Sequence, residues 1–339
     1  MKQPMPKMTS AIVYSCSPAL FDRLWRSIQA DEVDDLVEAW EEHESVDPPK
    51  TRWDSDGFVQ LPTLDRWSVS SNHITFCLQI NERKLPAKVR DELVRSKATA
   101  LEDAQGRRVS KKEYRLLVEE AEMELLPKAF IGRTQVLVSI TDTARVVVWT
   151  SSVKRADRVM NSLGMMLTAV QSLSIEYEFA PIASMQLPAI TFTRLVKSAP
   201  GTEDKLAAGF ACVLKASDGS SENPTIRVRN RDLDAADIQK LLASGEDYKV
   251  VEVELLYDED GNFSTIDRAV GCVFTVNEGL IIKKIAVPGV TLERGADAIA
   301  AFDSTLFLTL SMLLKVHAAV MAETGVMGGD VEYEDEDEI

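Results

Sequence analysis

The sequence predicts an α+β chain with antiparallel sheets and more than one domain. Strand-like runs come in turn-linked pairs, as at residues 136–140 and 145–150 around Thr141-Asp142-Thr143. Amphipathic runs of helical period accompany them, the plainest at residues 152–170 and 295–324. The length, 339 residues, is enough for two or three sizeable cores, and a composition of 45% hydrophobic and 27% charged residues is ordinary for a globular protein.

From the N-terminus, residues 11–15 (AIVYS) read as a short strand and residues 18–30 as a helix with Leu20, Leu24 and Ile28 on one side. The acidic stretch that follows contains VDDLVEAWEEH, a surface helix ending before Pro48-Pro49. Residues 51–71 read as loop, anchored by Trp53, Phe58 and Trp67. Residues 73–80 (HITFCLQI) are a strand of β-branched and aromatic residues.

Residues 83–133 carry 13 Lys+Arg against 9 Asp+Glu in a chain whose net charge is −16. Pro86 suits the first turn of a helix, and Leu85, Val89 and Leu93 recur one turn apart as an apolar stripe. Lys84, Lys88 and Arg95 flank the stripe on one side, Arg90 and Lys97 on the other. Gln105-Gly106 breaks this helix. Ser110 is placed to cap the next one, with Glu113 at the capping-box position. Tyr114, Leu117, Val118, Ala121 and Leu125 form its apolar face; Arg108, Lys111, Lys112 and Arg115 gather opposite, and Pro127 ends it. The pattern predicts an antiparallel helical hairpin with a base-rich outer surface.

Further on, Ser152 caps a helix that turns Val159, Leu163, Met166 and Leu167 inward. A segment punctuated by Pro181 and Pro188 leads to a second half starting near residue 190. That half is expected to hold a short helix at 191–197, a strand at 211–214, and the run TIRVRNRDL. Asp232 or Asp234 caps a helix to residue 243, and strands follow at 249–257, 264–274 and 280–286. The last helix buries Phe302, Leu306, Leu310 and Leu313. Its apolar run is broken by Lys315 and His317, which favours a buried helix over a membrane span. The tail from residue 328 reads as acidic and disordered.

Acids are unevenly spread: nine, with no base, in residues 31–47 and seven more in 330–338. This suits a protein that is acidic outside and basic along one restricted surface, or one whose acids simply keep it soluble. Cys16, Cys77, Cys212 and Cys272 are scattered and the histidines unclustered, against a zinc site or disulfide framework and for a reducing cytoplasm. MKQPMPKMTS has no apolar run behind its lysines, so no signal peptide is expected.

The bases of 83–133 have two readings. They can neutralise phosphates without reading sequence, or form a solvated face laced with ion pairs one turn apart. Arg227, Arg229 and Arg231 alternate, which in a strand sends three guanidinium groups to one face. An anion would relieve that crowding, as would Asp232, Asp234 and Asp237 nearby. Lys128 and Arg133 carry the basic stretch past Pro127, and Phe130 between them is a core or an interface aromatic.

Catalytic patterns are lacking. Asp258, Asp260 and Asn262 begin a calcium-loop spacing, but Phe263 and Ala269 stand where Gly and Glu are required. Glu252 and Glu254 lack the following Lys of a metal-dependent nuclease. His43, His73 and His317 are isolated, with no GxGxxG, Walker, GxSxG or HExxH run. No catalytic set, metal site or cofactor is expected.

The run NERKLPAKVRDEL…KKEYRLLVEEAEMELLPKAF resembles the recombination-associated protein RdgC family, which also carries the name of an exonuclease. The later runs VVVWTSSVKRADRVMNSLG, IRVRNRDL and FDSTLFLTLSMLLKVHAAVMAETG follow in that family's order, and the resemblance extends over residues 9–329. It implies a ring-shaped homodimer around duplex DNA, binding without sequence preference and restraining recombinases of the RecA type. Lys84, Lys88, Arg95, Lys97, Arg108, Lys111, Lys112, Arg115, Lys128, Arg133, Arg227, Arg229 and Arg231 would then face the DNA. Phe130 would close one side of the ring, with Arg229, Asn230 and Arg231 near the other closure. There the family tends to carry a Lys-Gln pair where this chain has Asn230-Arg231.

The same resemblance implies a division of the chain. Residues 1–82 and 134–188 would form a central domain, 83–133 a basic finger, and 189–290 a second α+β domain. A C-terminal helix (291–327) and an acidic tail (328–339) would complete it. Such a protein works in the cytoplasm at the nucleoid, or in a host's cytoplasm if phage-borne. The alternatives are a DNA exonuclease and a phage factor that meets a host protein through its acidic surface; no membrane partner is expected.

Overall fold

A computed structural model describes residues 6–170, 205–216, 225–231, 248–259, 272–287 and 301–324, with the single positions 233, 236, 238, 240, 290 and 299 between them. The N-terminal part runs β1 (Ser10–Ser15), α1 (Pro18–Gln29), α2 (Asp34–Glu42), β2 (Asp54–Val59), β3 (Trp67–Ser70) and β4 (His73–Lys84). Next come α3 (Ala87–Gln105), α4 (Lys111–Leu125), a 3-10 turn (Leu126–Lys128), β5 (Phe130–Thr141), β6 (Arg145–Val148) and α5 (Val153–Ala169). After these the described elements are β7 (Leu206–Ala216), β8 (Thr225–Arg229), β9 (Tyr248–Tyr257), β10 (Cys272–Asn277), β11 (Ile282–Ala286) and α6 (Phe302–Thr324). The fold is α+β, with six α-helices among the described residues and one large antiparallel sheet.

That sheet runs β2-β4-β5-β6-β1-β11-β10-β9-β7-β8, with β3 also paired to β4. Its longest register joins β4 to β5 without a break, from His73↔Thr141 to Lys84↔Phe130. β1 sits mid-sheet, paired with β6 on one side and β11 on the other. The alternation of each strand sorts side chains to two faces. On one face Ile12, Tyr14, Ile74, Phe76, Leu78, Val138 and Val148 pack with Leu20 and Leu24 of α1, Trp40 of α2 and the Val159, Leu163, Met166, Leu167 side of α5. On the other, Val13, Cys77, Leu137 and Val147 join Val253, Phe274 and Ile282 beneath α6.

By length and composition α6 could cross a membrane. Its Phe302, Leu306, Leu310, Leu313 and Val316 are nevertheless fully buried in this core, as the helical period of the sequence predicts. The stripes of α1 and α5 likewise lie where their period places them.

Other expectations are corrected. Residues 51–71 hold β2 and β3 rather than a loop, and β2 pairs with β4 from Asp54↔Glu82 to Val59↔Cys77. Of the three expected anchors Phe58 is fully buried, Trp67 packs 6.0 Å from Phe76, and Trp53 stays exposed. The β5–β6 turn forms at Thr141–Arg145 as expected, but β5 starts at Phe130, six residues earlier than its hydrophobic run, because β4 continues opposite it. The expected helix at 191–197, the calcium-like turn from residue 260 on, residues 264–271 and the acidic tail lie outside the described residues, as does most of the expected helix at 232–243.

Candidate nucleic-acid interface

The basic stretch is built on the far end of the β4–β5 ladder. Arg83, in the last turn of that ladder, points inward: Nη1 donates to the carbonyl of Leu126 at 3.2 Å and Nη2 to that of Pro48 at 2.7 Å. It was not among the candidate site residues, yet it fixes the root from which both helices leave. Beside it Asn81 donates to Ser45 Oγ and to the Val46 carbonyl, both at 3.0 Å. Lys84 pairs with Phe130 across the ladder, and its alkyl chain lies over Gly132, where a Cβ would come within 2.6 Å of Lys84 Cε.

α3 ends at Gly106 in the left-handed region (φ 64°), as a helix C-cap favours. α4 opens with the expected capping box: Ser110 Oγ accepts from the Glu113 amide at 3.3 Å, and Glu113 Oε2 from the Ser110 amide at 2.9 Å. The Arg107 guanidinium, 2.6 Å away, together with these cap bonds holds the Glu113 carboxyl well below the usual carboxylate range. The two helices lie against each other yet fully bury only Val94 and Ala121. Leu85, Leu93, Leu117, Val118 and Leu125 are half-buried, whereas Val89 and Tyr114 of the expected apolar stripes are exposed.

Ion pairs divide the 13 bases of this stretch. Arg90 pairs with Asp91 and Glu122, Lys97 with Glu120 at 2.6 Å and Glu124 at 2.9 Å, and Arg133 with Asp47 at 2.8 Å. Hydrogen bonds to Glu120 and then Glu124 raise the Lys97 ammonium above its ordinary value. Lys97 is therefore already neutralised, Arg133 is paired with Asp47 in an exposed position, and Arg83 and Arg107 are engaged as described. Eight bases remain exposed and form no ion pair among the described residues: Lys84, Lys88, Arg95, Arg108, Lys111, Lys112, Arg115 and Lys128. Phe130 stands at their root, 78% exposed, in a strand rather than in the core.

The second candidate cluster lies on the edge strand β8. Arg227 and Arg229 are exposed, opposite Val213 and Ala211 of β7. They border a cleft of about 390 Å³ that also takes in Lys284, Asn277, Glu252 and Glu278. The expected third guanidinium does not continue the row. Asn230 turns into the left-handed region (φ 53°), the strand stops at Arg229, and the Arg231 amide returns to the Phe210 carbonyl at 3.3 Å.

The strand carboxylates are occupied structurally: Glu252 binds Lys283 at 2.8 Å, and Glu254 accepts the Phe210 amide at 3.0 Å. Among the described residues no three His, Cys, Asp or Glu converge to hold a metal. Burial pushes the thiols of Cys16, Cys77 and Cys272 up to about 12 and Cys212 to about 11, so none is a ready nucleophile.

Comparison with known proteins adds the lineage. The family model described as "Putative exonuclease, RdgC" matches residues 19–327. A recombination-associated protein RdgC of Pseudomonas putida is 27% identical over 252 residues, 71% of this chain and 74% of the relative. Those of Pseudomonas entomophila (25% over 262 residues, 76% and 78%) and Cupriavidus pinatubonensis (24% over 257 residues, 75% and 78%) are similar over comparable lengths. With its basic helices set on the β4–β5 ladder and a family match spanning nearly its whole length, the chain belongs to the RdgC family.

Proposed function

We propose that this protein acts in DNA recombination as a sequence-independent binder of duplex DNA. Two copies would enclose the duplex as a ring at the nucleoid and restrain recombinases of the RecA type. In this reading residues 83–133 form a finger, Lys88, Arg95, Arg108, Lys111, Lys112 and Arg115 meet phosphates, Arg227 and Arg229 add a second contact, and Phe130 belongs to the contact between copies. The recombination role follows the names of the relatives. The mechanism rests on one observation: in a chain of net charge −16, eight exposed bases of one stretch form no ion pair among the described residues. Charges of this kind act on the phosphate backbone, so affinity is set by counterion release rather than base contacts.

The test is duplex binding across a salt series for Lys111→Gln/Lys112→Gln/Arg115→Gln. Each lost phosphate contact lowers the slope of log K against log salt by about 0.9, so the triple variant is expected to bind more weakly with a slope shallower by about 2–3. Lys97→Gln, which removes an already neutralised base, is expected to leave the slope unchanged. An unaltered slope in the triple variant overturns the placement of DNA on these helices.

A further inference from the structure

A basic cleft at the base of the finger, sharing only Arg133 with it, has no role in the reading above. It is open, about 340 Å³, and lies where the entry to β1, the strand β5 and the turn from β6 into α5 meet. Three bases line it, one from each segment: Lys7, Arg133 and Arg155. Thr9, Thr150 and Ser151 also line it, and no carboxylate is among the lining residues. Lys7 and Arg155 are exposed and form no ion pair among the described residues. Arg133 has only Asp47, in a pair whose two side chains are each 54% exposed, and such a pair contributes little and exchanges readily.

The arrangement is electrostatically unfavourable as it stands. α5 begins Val153-Lys154-Arg155 with no acid in its first turn, so two cations sit at the helix end that disfavours them. Lys7 and Arg133 bring more positive charge to the same cavity. A ligand with several negatively charged oxygens would relieve this. Guanidinium and ammonium groups with interspersed hydroxyl donors match a phosphoryl group, which offers three acceptor oxygens and close to two charges. The volume lies at the low end of small-ligand pockets, about 300–1,000 Å³, and admits more than a bare ion.

We propose that this cleft is a phosphoryl-binding site, taking either a phosphate of a nucleic-acid strand or a free phosphate species. The strand arm rests on the DNA-binding reading above; the free-phosphate arm does not.

The experiment uses the full chain. Inorganic phosphate is titrated calorimetrically against sodium chloride of matched ionic strength, and duplex binding is followed by anisotropy. Lys7→Gln/Arg155→Gln is expected to weaken phosphate binding about tenfold or more, Arg155→Lys to restore part of it to an Arg155→Gln chain, and the finger triple variant to keep it. Both substituted side chains are exposed, and a thermal melt checks that the double variant is folded. If the double variant also loses duplex affinity and salt slope, the site takes strand phosphates; if duplex binding is unchanged while phosphate binding is lost, it takes a free species. Absence of saturable phosphate binding in the parent chain, or equal binding in parent and double variant, overturns the proposal. The finger variant probes the DNA reading separately, so the two can fail independently.

Discussion

Arg83 holds the carbonyl of Leu126 at 3.2 Å, joining the strand that leads into the basic helices to the turn that leads out of them. Since α3 and α4 fully bury only Val94 and Ala121, their position depends on this root more than on any core. Hydrogen bonds from charged donors contribute about 1.5–3 kcal/mol each where burial is substantial. Arg83→Met is expected to cost about 2 kcal/mol in urea denaturation and to speed amide exchange across α3 and α4. A change within about 0.5 kcal/mol, the range of ordinary surface substitutions, would show that the root is held by other contacts.

Phe130 is 78% exposed, so removing it takes little from the fold. Phe130→Asp is expected to alter stability by no more than about 0.5 kcal/mol while weakening self-association in sedimentation velocity. Self-association identical to that of the parent would take Phe130 out of the contact between copies.

Gly57 is fixed by close approach of backbone. A Cβ there would lie 2.6 Å from Ser45 Cα and 2.7 Å from the His43 carbonyl oxygen, and the 43–45 segment is held against β2 by the Phe58 amide on the His43 carbonyl and the Ser45 amide on the Phe58 carbonyl. Gly57→Ala is expected to destabilise by about 1–3 kcal/mol, the usual cost of overpacking, measured by the urea midpoint. A neutral result would mean that the 43–45 segment yields easily.

His73 and His317 are both lowered to about 4, chiefly by burial; Asp303 partly opposes the shift at His73 and Arg145 adds to it at His317. Both are neutral in the folded protein near neutrality. Below pH ~6.5 the unfolded chain takes up protons that the folded chain refuses until about pH 4. Stability is therefore full above pH ~6.5 and falls as pH drops from there toward 4. His317 Nε2 has no hydrogen-bond partner among the described residues, so His317→Leu is expected to shrink the acid loss without lowering stability at pH 7.5. Parallel stability-against-pH curves for variant and parent would exclude His317 as a source.

Where the hydrophobic period was strong, the sequence was sufficient: β4, α5 and α6 follow from the spacing of Ile74, Phe76 and Leu78, of Val159, Leu163 and Met166, and of Phe302, Leu306 and Leu310. β2 is not legible in the sequence because DSDGFV carries two aspartates and a glycine, residues poor in strands; Asp54 and Asp56 are satisfied by Arg158 of α5, over a hundred residues away. The early start of β5 was invisible for a similar reason, since Ile131–Gln135 is strand only because β4 extends opposite it. In the candidate interface, the surplus of charge was legible but its distribution was not. Lys97 is engaged because the helix pairing brings Glu120 and Glu124 within its reach, and Arg83 reads as one more base until its carbonyl partners are known.

The place of β1 in the middle of the sheet bears on how the chain can fold at all. The strand Ser10–Ser15 takes one neighbour from residues 145–148 and the other from residues 282–286. During synthesis its second edge stays open until residues 282–286 have left the ribosome, and the closing pairs, Ser10↔Lys283 and Ala11↔Ile282, lie about 270 residues apart in sequence. Contacts so far apart form late and slowly. A nascent chain stalled in its second half would therefore expose an unpaired β edge able to capture another copy.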